Sequence, residues 1–409
     1  MQKHPACVVT RHGWVDIDNE NFTIINCVME KIHIDIFESN FYKEKERHFW
    51  PKIQRIYDYK SNYGEALAYY KTDFIHHIIR YPEFTSLQFK EALLFVCNVC
   101  KYCEKHNLWL RTHLWNVTYY KGNPYIIDIR DFEKYNGQSW KCIFMGHLNK
   151  TLSHHCPINA SCFIENYNDI YDNLTKCKDN LVEIEKILKL IKPVEIKNDK
   201  WSSYHHTRTE FLYSNNTLND KVIESIKNYE GGNDNNNKSF NLFKLLDIIK
   251  PTTVIEIGCN NGLYIFGCSK NCPSIGIDYG IETINEANKL NSKFKSESNF
   301  ICLDILDNNK MNKNYGPNDV YGTAYDRFKS HTLIAPAIIH HLYQQCKSTN
   351  KIIEIFSKLA KNYMVIEQIP NTVPEIELKN SLEQYNWKVI NILDSTPLPR
   401  KWLLCELIV

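Results

Sequence analysis

The sequence predicts an α/β protein whose second half is a doubly wound, mostly parallel sheet. Three observations carry that expectation. The run Thr253-Val254-Ile255-Glu256-Ile257 is short, apolar and β-branched. It leads into a turn with glycines at Gly258 and Gly262 and then a helix start near Leu263, the pattern of a buried parallel strand feeding a helix N-terminus. Two further apolar runs, residues 273–278 and 300–304, end in Asp278 and Asp304, so three successive strands carry a carboxylate at or near their ends.

The elements before that sheet are taken in chain order. Residues 1–70 alternate strand-like runs (7–10, 22–25 and 32–36) with charged and aromatic turns, and read as a small β-rich start. Residues 71–107 read as helical, interrupted at Tyr81-Pro82-Glu83-Phe84. Cys97, Cys100 and Cys103 fall on that helix with His106 just after. Three-residue spacing places the cysteines along one helix face, which favours a core stripe over the metal site that C-x2-C-x2-C otherwise suggests. Residues 160–195 read as a helical bridge closed by Pro193, residues 219–229 as a helix, and residues 240–250 as the helix entering the first sheet strand. The polar stretch 231–237 reads as a surface loop.

Composition bounds the function classes. The chain has 409 residues, 43% of them hydrophobic and 13% aromatic, enough for two or three domains with sizeable cores. With 49 basic and 47 acidic residues the formal net charge is +2, so no global field advertises nucleic acid or a membrane surface. The N-terminus lacks a signal-peptide core and no run long enough to span a bilayer occurs, so the expected compartment is the cytoplasm. Fifteen cysteines in such a chain are expected as reduced, buried side chains rather than disulfides.

A nicotinamide fingerprint, G-x-G-x-x-G from Gly258, needs glycines where Asn260 and Leu263 stand. What stands instead is Glu256-x-Gly258-x-Asn260-x-Gly262. This resembles motif I of the class I S-adenosylmethionine methyltransferases, [D/E]-x-G-x-G-x-G, with Asn260 in place of the middle glycine; Asn tolerates left-handed backbone better than most residues. The resemblance implies a Rossmann-like C-terminal domain with a seven-stranded, mostly parallel sheet. It implies a cofactor, S-adenosylmethionine, held by Glu256, Gly258, Cys259, Asn260, Gly262, Asp278, Tyr279, Asp304 and Ile305. Asp278 takes the ribose diol and Asp304 the adenine amino group.

Upstream, Asn116, a hairpin, and an apolar strand ending at Asp128 resemble the catalytic segment of protein-kinase-like phosphotransferases, in which Asn116 and Asp128 match the metal-holding positions. The base position is Arg111, the preceding His position is Trp109, the glycine after the second Asp is Arg130, and no glycine-rich phosphate loop precedes them. The match implies a degenerate kinase-like α+β domain with no resident metal.

More particular stretches resemble the methyltransferases related to nodulation protein NoeA: Tyr81-Pro82-Glu83-Phe84, Ile127-Asp128 through Tyr135 with Gln138-Ser139-Trp140, Trp201-Ser202-Ser203-Tyr204, Ala335-Pro336 through Leu342, and Val365-Ile366-Glu367-Gln368-Ile369-Pro370. The resemblance implies a kinase-like N-terminal half fused to the methyltransferase. The expected division is 1–70, 71–200 and 201–409.

His340 and His341 follow the fourth expected strand, Ser330–Ala335, and either is a candidate general base; capping or packing is the alternative. Trp201 and Tyr204 are placed as a lid over substrate, or as aromatics between the two halves. Glu367 is placed at the substrate mouth, and Arg327 and Lys221 as partners for an anionic acceptor. The acceptor implied is a small molecule or glycan methylated on oxygen, with no nucleic acid and no membrane. A bifunctional kinase–methyltransferase and a catalytically inactive S-adenosylmethionine-binding scaffold are the alternatives.

Overall fold

The computed structural model describes residues 15–19, 22–27, 31–57, 68–73, 75–112, 114–127, 132–148, 160–194, 209–229, 238–270, 272–314, 322–395 and 399–408. The chain divides into two compact units, Met1–Glu195 with Asn314–Gly322, and Ile196–Lys313 with Thr323–Val409.

In the second unit seven strands form one sheet: β1 (Val254–Ile257), β2 (Ser274–Asp278), β3 (Ser298–Cys302), β4 (Ser330–Ala335), β5 (Ala360–Gln368), β6 (Trp387–Ser395) and β7 (Arg400–Leu407). Their order is β3-β2-β1-β4-β5-β7-β6. The first five are parallel, and β7 runs antiparallel to both β5 and β6. Strands β1 to β4 are almost wholly buried along their length, the mark of a sheet covered on both faces. The strand order reverses direction between β1 and β4. In an open α/β sheet a ligand binds at that point, in the crevice outside the carboxyl ends of the strands.

The helices of this unit are α1 (Glu210–Ser214), α2 (Asp220–Lys227), α3 (Lys238–Ile249), α4 (Leu263–Ser269), α5 (Ile281–Phe294), α6 (Asn308–Met311), α7 (Ala324–Phe328), α8 (Ile339–Cys346), α9 (Thr349–Leu359) and α10 (Glu375–Gln384). The expected helix at 219–229 is α2, whose start is set by Asn219: its side chain accepts from the Val222 N–H at 3.0 Å. The helix expected at 240–250 is α3. Phe243, Phe266, Phe294 and Phe300 join the aliphatic strand residues in one core.

In the first unit, Val15–Asn19, Phe22–Cys27, Ala68–Asp73 and Ile53–Ile56 form a four-stranded antiparallel sheet in that order. Two expectations are corrected here. Residues 32–36 are not a strand but part of helix Lys31–Glu38. The alternation of Ile32, Ile34 and Ile36 imitates a strand, but Ile36 and Phe37 are buried side by side and Phe41 follows four residues on, a helical repeat. Residues 71–73 and 75–80 are not helical either: 71–73 complete a strand paired on both sides, and after a 3-10 turn at Tyr81–Glu83 the α-helix Ser86–Lys105 begins. Thr85 starts that helix with a reciprocal cap, its Oγ1 accepting from Gln88 N at 3.2 Å while Gln88 Oε1 accepts from Thr85 N at 2.9 Å.

Cys97, Cys100 and Cys103 are fully buried on that helix; burial pushes the Cys97 thiol up to about 12 and raises Cys100 and Cys103 strongly. They line the core face of the helix, as their three-residue spacing suggests. The hairpin expected after Asn116 is present, Val117–Tyr120 against Asn123–Ile126, joined by Lys121 and Gly122 at φ +50° and +73°. Two successive positive φ values are what a two-residue hairpin turn requires. The helical expectation for 160–195 is met by helices Tyr167–Lys176 and Leu181–Lys189, both within the first unit. The runs 7–10 and 231–237 lie outside the described residues.

Candidate functional site

The turn after β1 is shaped by positive φ values and by close packing of neighbouring side chains. Gly258 and Gly262 have φ of +75° and +85°, and Asn260 between them has φ +48°. The asparagine therefore adopts the left-handed conformation of the glycine it replaces, and its Oδ1 accepts the N–H of Asn261 at 2.9 Å. Space also selects glycine. A Cβ on Gly262 would lie 2.4 Å from Phe300 Cε1, and one on Gly258 would lie 2.8 Å from Ile338 Cδ1. Ile338 is delivered to that position by Ala337, a non-glycine residue held at φ +48° in the turn from β4 to α8. Such backbone strain persists only where the surroundings impose it.

Asp278 ends β2 beside this turn. Its Oδ2 accepts from Asn260 N and its Oδ1 from Gly280 N, both at 2.9 Å. Two backbone donors thus fix the carboxylate's plane. Tyr279 follows with its side chain 56% exposed. Asp304, just past β3, is exposed and turns one oxygen back to Leu306 N at 2.9 Å. Ile305 is buried beside it. Asp278, Tyr279 and Asp304 thus stand in sequence along the carboxyl edge of the sheet, next to the β1 turn.

The side chains of two residues expected to hold the cofactor are buried. Glu256 is buried within β1, its carboxylate accepts the Ile265 N–H in the first turn of α4, and burial holds it well above the usual carboxylate range. It is a protonated anchor between strand and helix. Cys259 is buried with its sulfur packed toward Gly276, and burial raises its thiol strongly. Asn261, which motif spacing did not single out, is 3% exposed and donates to Thr209 Oγ1 at 2.9 Å, tying α1 to the turn. The only sequence signal for it is the Asn-Asn pair inside the turn.

On the other side of the switch point, His340 and His341 open α8, their ring centroids 4.0 Å apart. His340 Nδ1 is buried without a hydrogen-bond partner among the described residues. Burial, then the charges of His341 and Arg400, push His340 down to about 4 against the opposing pull of Glu367. At neutral pH its imidazole is uncharged, which leaves it free to accept a proton but makes it a weak base.

The sign of the pH effect follows. A histidine harder to protonate when folded favours the folded state fully above pH 6.5 and loses that contribution as pH falls through the window down to about 4. His340→Gln should flatten the fall in melting temperature between pH 7 and pH 4.5; an unchanged slope refutes the buried neutral imidazole.

The remaining predicted residues fall elsewhere. Glu367 does not face a mouth: it is fully buried near the end of β5, with Lys238 Nζ 3.0 Å from Oε2 and Ser395 Oγ donating to Oε1 at 2.8 Å. Arg327 is 2% exposed on α7, its guanidinium 4.6 Å from the Phe328 ring centroid. It lies at the amino end of β4, the opposite edge of the sheet from the crevice, and is not brought to the site. Lys221 is an exposed residue of α2. Trp201, Tyr204 and Asp128 lie outside the described residues; Thr209, the first described residue after the first two, is hydrogen-bonded to the turn. In the first unit, Arg111 pairs with Glu133 at 3.1 Å and Trp109 is buried against Trp140 at 4.6 Å between centroids.

No family model matches the chain, and no curated protein matches it. Among solved structures it is similar to magnesium protoporphyrin IX methyltransferase (ChlM) from Synechocystis PCC 6803 with bound SAM, at 14% identity over 51% of this chain and 94% of that one, TM-score 0.32. It is similar to a TehB-like SAM-dependent methyltransferase from Corynebacterium glutamicum, at 12% identity over 52% of this chain and 100% of that one, TM-score 0.34. It is also similar to the bifunctional kinase-methyltransferase WbdD, at 15% identity over 52% of this chain and 42% of that one, TM-score 0.29. The fold of the second unit is carried by its own strand order, β3-β2-β1-β4-β5-β7-β6, and not by these likenesses.

Proposed function

We propose that the second unit is a methyltransferase that uses S-adenosylmethionine. The observation that carries this is the Asp278 carboxylate, held by the Asn260 and Gly280 N–H groups at the switch point beside a glycine turn packed by Ile338 and Phe300. The residues fit the cofactor. Asp278 offers two oriented acceptors for a ribose diol, Tyr279 an exposed ring, Asp304 an acceptor for an exocyclic amine, and the Gly258–Gly262 backbone a close approach for the amino-acid end. When bound, the cofactor supplies a methyl group on a sulfonium, already activated for displacement.

What the chain adds is alignment and exclusion of water. Ile338 closes the turn on its apolar side, and Asn261 locks the turn to α1. His340, uncharged and on the acceptor side of the crevice, would orient an acceptor hydroxyl and receive its proton late in transfer, with the His341 ring tilted beside it. Glu256 keeps the strand and helix in register and does not touch the ligand. The acceptor is a small molecule or glycan methylated on oxygen, as the resemblance to the NoeA-related proteins implies. The balanced net charge of +2 supports an acceptor other than nucleic acid. Among the described residues no helix is long and apolar enough to cross a membrane; we place the protein in the cytoplasm.

We read residues 71–200 as a kinase-like region without phosphotransfer, because the base position is Arg111, a cation already paired with Glu133. Calorimetric titration with S-adenosylmethionine, S-adenosylhomocysteine and ATP–magnesium tests both parts. Micromolar binding of the first two and no heat from ATP–magnesium is the expected outcome. ATP binding would return the bifunctional enzyme, and silence from all three would end the methyltransferase reading.

A further inference from the structure

We propose that Arg400, with His340 beside it, is the binding site for an anionic group, a carboxylate or phosphate, on the molecule that receives the methyl. This rests on the cofactor assignment above and adds the chemistry of the acceptor.

Strand β7 runs against β5, so its first residue lies at the carboxyl end of β5, the edge that bears the crevice. Gln368 pairs with Lys401 and Glu367 with Trp402, which puts Arg400 just beyond the end of β5. Ser395, the last residue of β6, is its register partner. Successive residues of a strand face opposite ways, so Arg400, Trp402, Ser395 and Glu367 share one face, while Lys401 and Asp394 share the other. The shared face is the one toward α3, because Trp402 Nε1 donates to Lys238 O at 3.1 Å and Lys238 Nζ reaches Glu367.

On that face Glu367 is engaged by Lys238 at 3.0 Å and by the Ser395 hydroxyl at 2.8 Å. Arg400 Nη1 stands 3.7 Å from Glu367 Oε1, within ion-pair range but beyond hydrogen-bond distance, so its donors are not spent there. Lys238 is enclosed, its side chain 9% exposed, whereas the Arg400 side chain is 28% exposed. Of the two cations around Glu367, Arg400 is therefore the one that meets solvent.

Arg400, Glu367 and Lys238 all lie within electrostatic reach of His340, and Arg400 acts to keep its ring uncharged. A partly exposed guanidinium with no hydrogen bond to the described residues, within reach of an uncharged imidazole at the methyl-transfer edge, is suited to a planar or tetrahedral oxyanion. An acceptor gripped there by its anion would present the neighbouring atom to His340.

The test is calorimetric titration of the full chain with sodium phosphate and with sodium acetate, ionic strength held constant with sodium chloride, with and without saturating S-adenosylhomocysteine. At least one anion should bind, and Arg400→Gln should weaken it about tenfold or more, the usual effect of removing a charged hydrogen-bond partner. Lys401→Gln, the same charge change on the opposite face, should leave it unaltered. Binding of phosphate alone identifies a phosphorylated acceptor, and binding of acetate a carboxylate-bearing one.

If S-adenosylhomocysteine binds but neither anion does, or Arg400→Gln binds the anion as well as the wild type, the anion site is overturned and the cofactor assignment stands. If S-adenosylhomocysteine does not bind the wild type, the cofactor assignment falls and the acceptor site with it. Retained S-adenosylhomocysteine affinity in Arg400→Gln shows that the variant is folded. Should it be lost, Arg400→Lys, which keeps the charge without the planar fork, must give a partial weakening for the proposal to survive.

Discussion

Asp278→Ala should remove S-adenosylhomocysteine binding by at least about a hundredfold, the combined worth of two charge-assisted hydrogen bonds to one diol. The carboxylate does two things. It is the acceptor offered to the ligand, and it holds the Asn260 and Gly280 N–H groups that shape the turn around it. Alanine removes both, so the turn loses an anchor along with its ligand. The fold should survive, because Asp278 is only partly buried and Gly258 and Cys259 remain bonded to Ile277 O at 2.8 and 3.1 Å. Asp278→Asn, which keeps an oxygen but loses the charge, should fall between. Calorimetry alongside a melting curve separates the two effects. Near-normal affinity in a folded Asp278→Ala protein would end the ribose assignment.

Glu367→Ala acts on stability instead, with an expected cost of about 3–5 kcal/mol, because it removes the carboxylate 3.0 Å from the buried Lys238 ammonium. Glu367 is fully buried and the Lys238 side chain only 9% exposed, so solvent cannot take over. The contact at 3.0 Å is an ion pair rather than an aligned hydrogen bond, so its worth lies in charge compensation. In a unit of this size the melting temperature should fall by on the order of 10 °C. Lys238→Met in the same chain should recover much of the loss, since replacing a buried pair by apolar groups is often neutral. Urea denaturation of the three variants decides it. A loss under about 1 kcal/mol for Glu367→Ala would mean that the pair is solvated.

Much of the second unit is legible in the sequence, for a local reason. The run from Val254 to Ile257, the glycines at 258 and 262 and the acids at 278 and 304 are each specified by a few adjacent residues: a β-branched run makes a strand, a positive φ calls for glycine or asparagine, and a polar residue closes the strand. Asn219 capping α2 and Thr85 capping the helix from Ser86 belong to the same kind. Where local pattern is ambiguous, it misleads. Ile32, Ile34 and Ile36 alternate like a strand, yet Ile36 and Phe37 are buried together in a helix. Residues 71–73 read as part of a helical stretch because their two strand partners lie far away in the chain.

The acceptor side of the site is the least visible, because its residues meet only through the sheet. Arg327 and Glu367 look alike in sequence, charged residues beside apolar strands. The direction of β4 puts one at the wrong edge, and the packing of α3 on β5 seals the other against Lys238. Arg400 carries no signal of its own. It becomes part of the site only because β7 inserts antiparallel between β5 and β6, which returns the chain to the carboxyl edge 33 residues beyond Glu367. The sequence by itself determined the parallel sheet, its cofactor-like turn and the carboxylates along three strands, since each depends on neighbours in the chain. Which charges face the crevice, and which one meets solvent, was decided by strand direction and helix packing, which no local stretch of residues encodes.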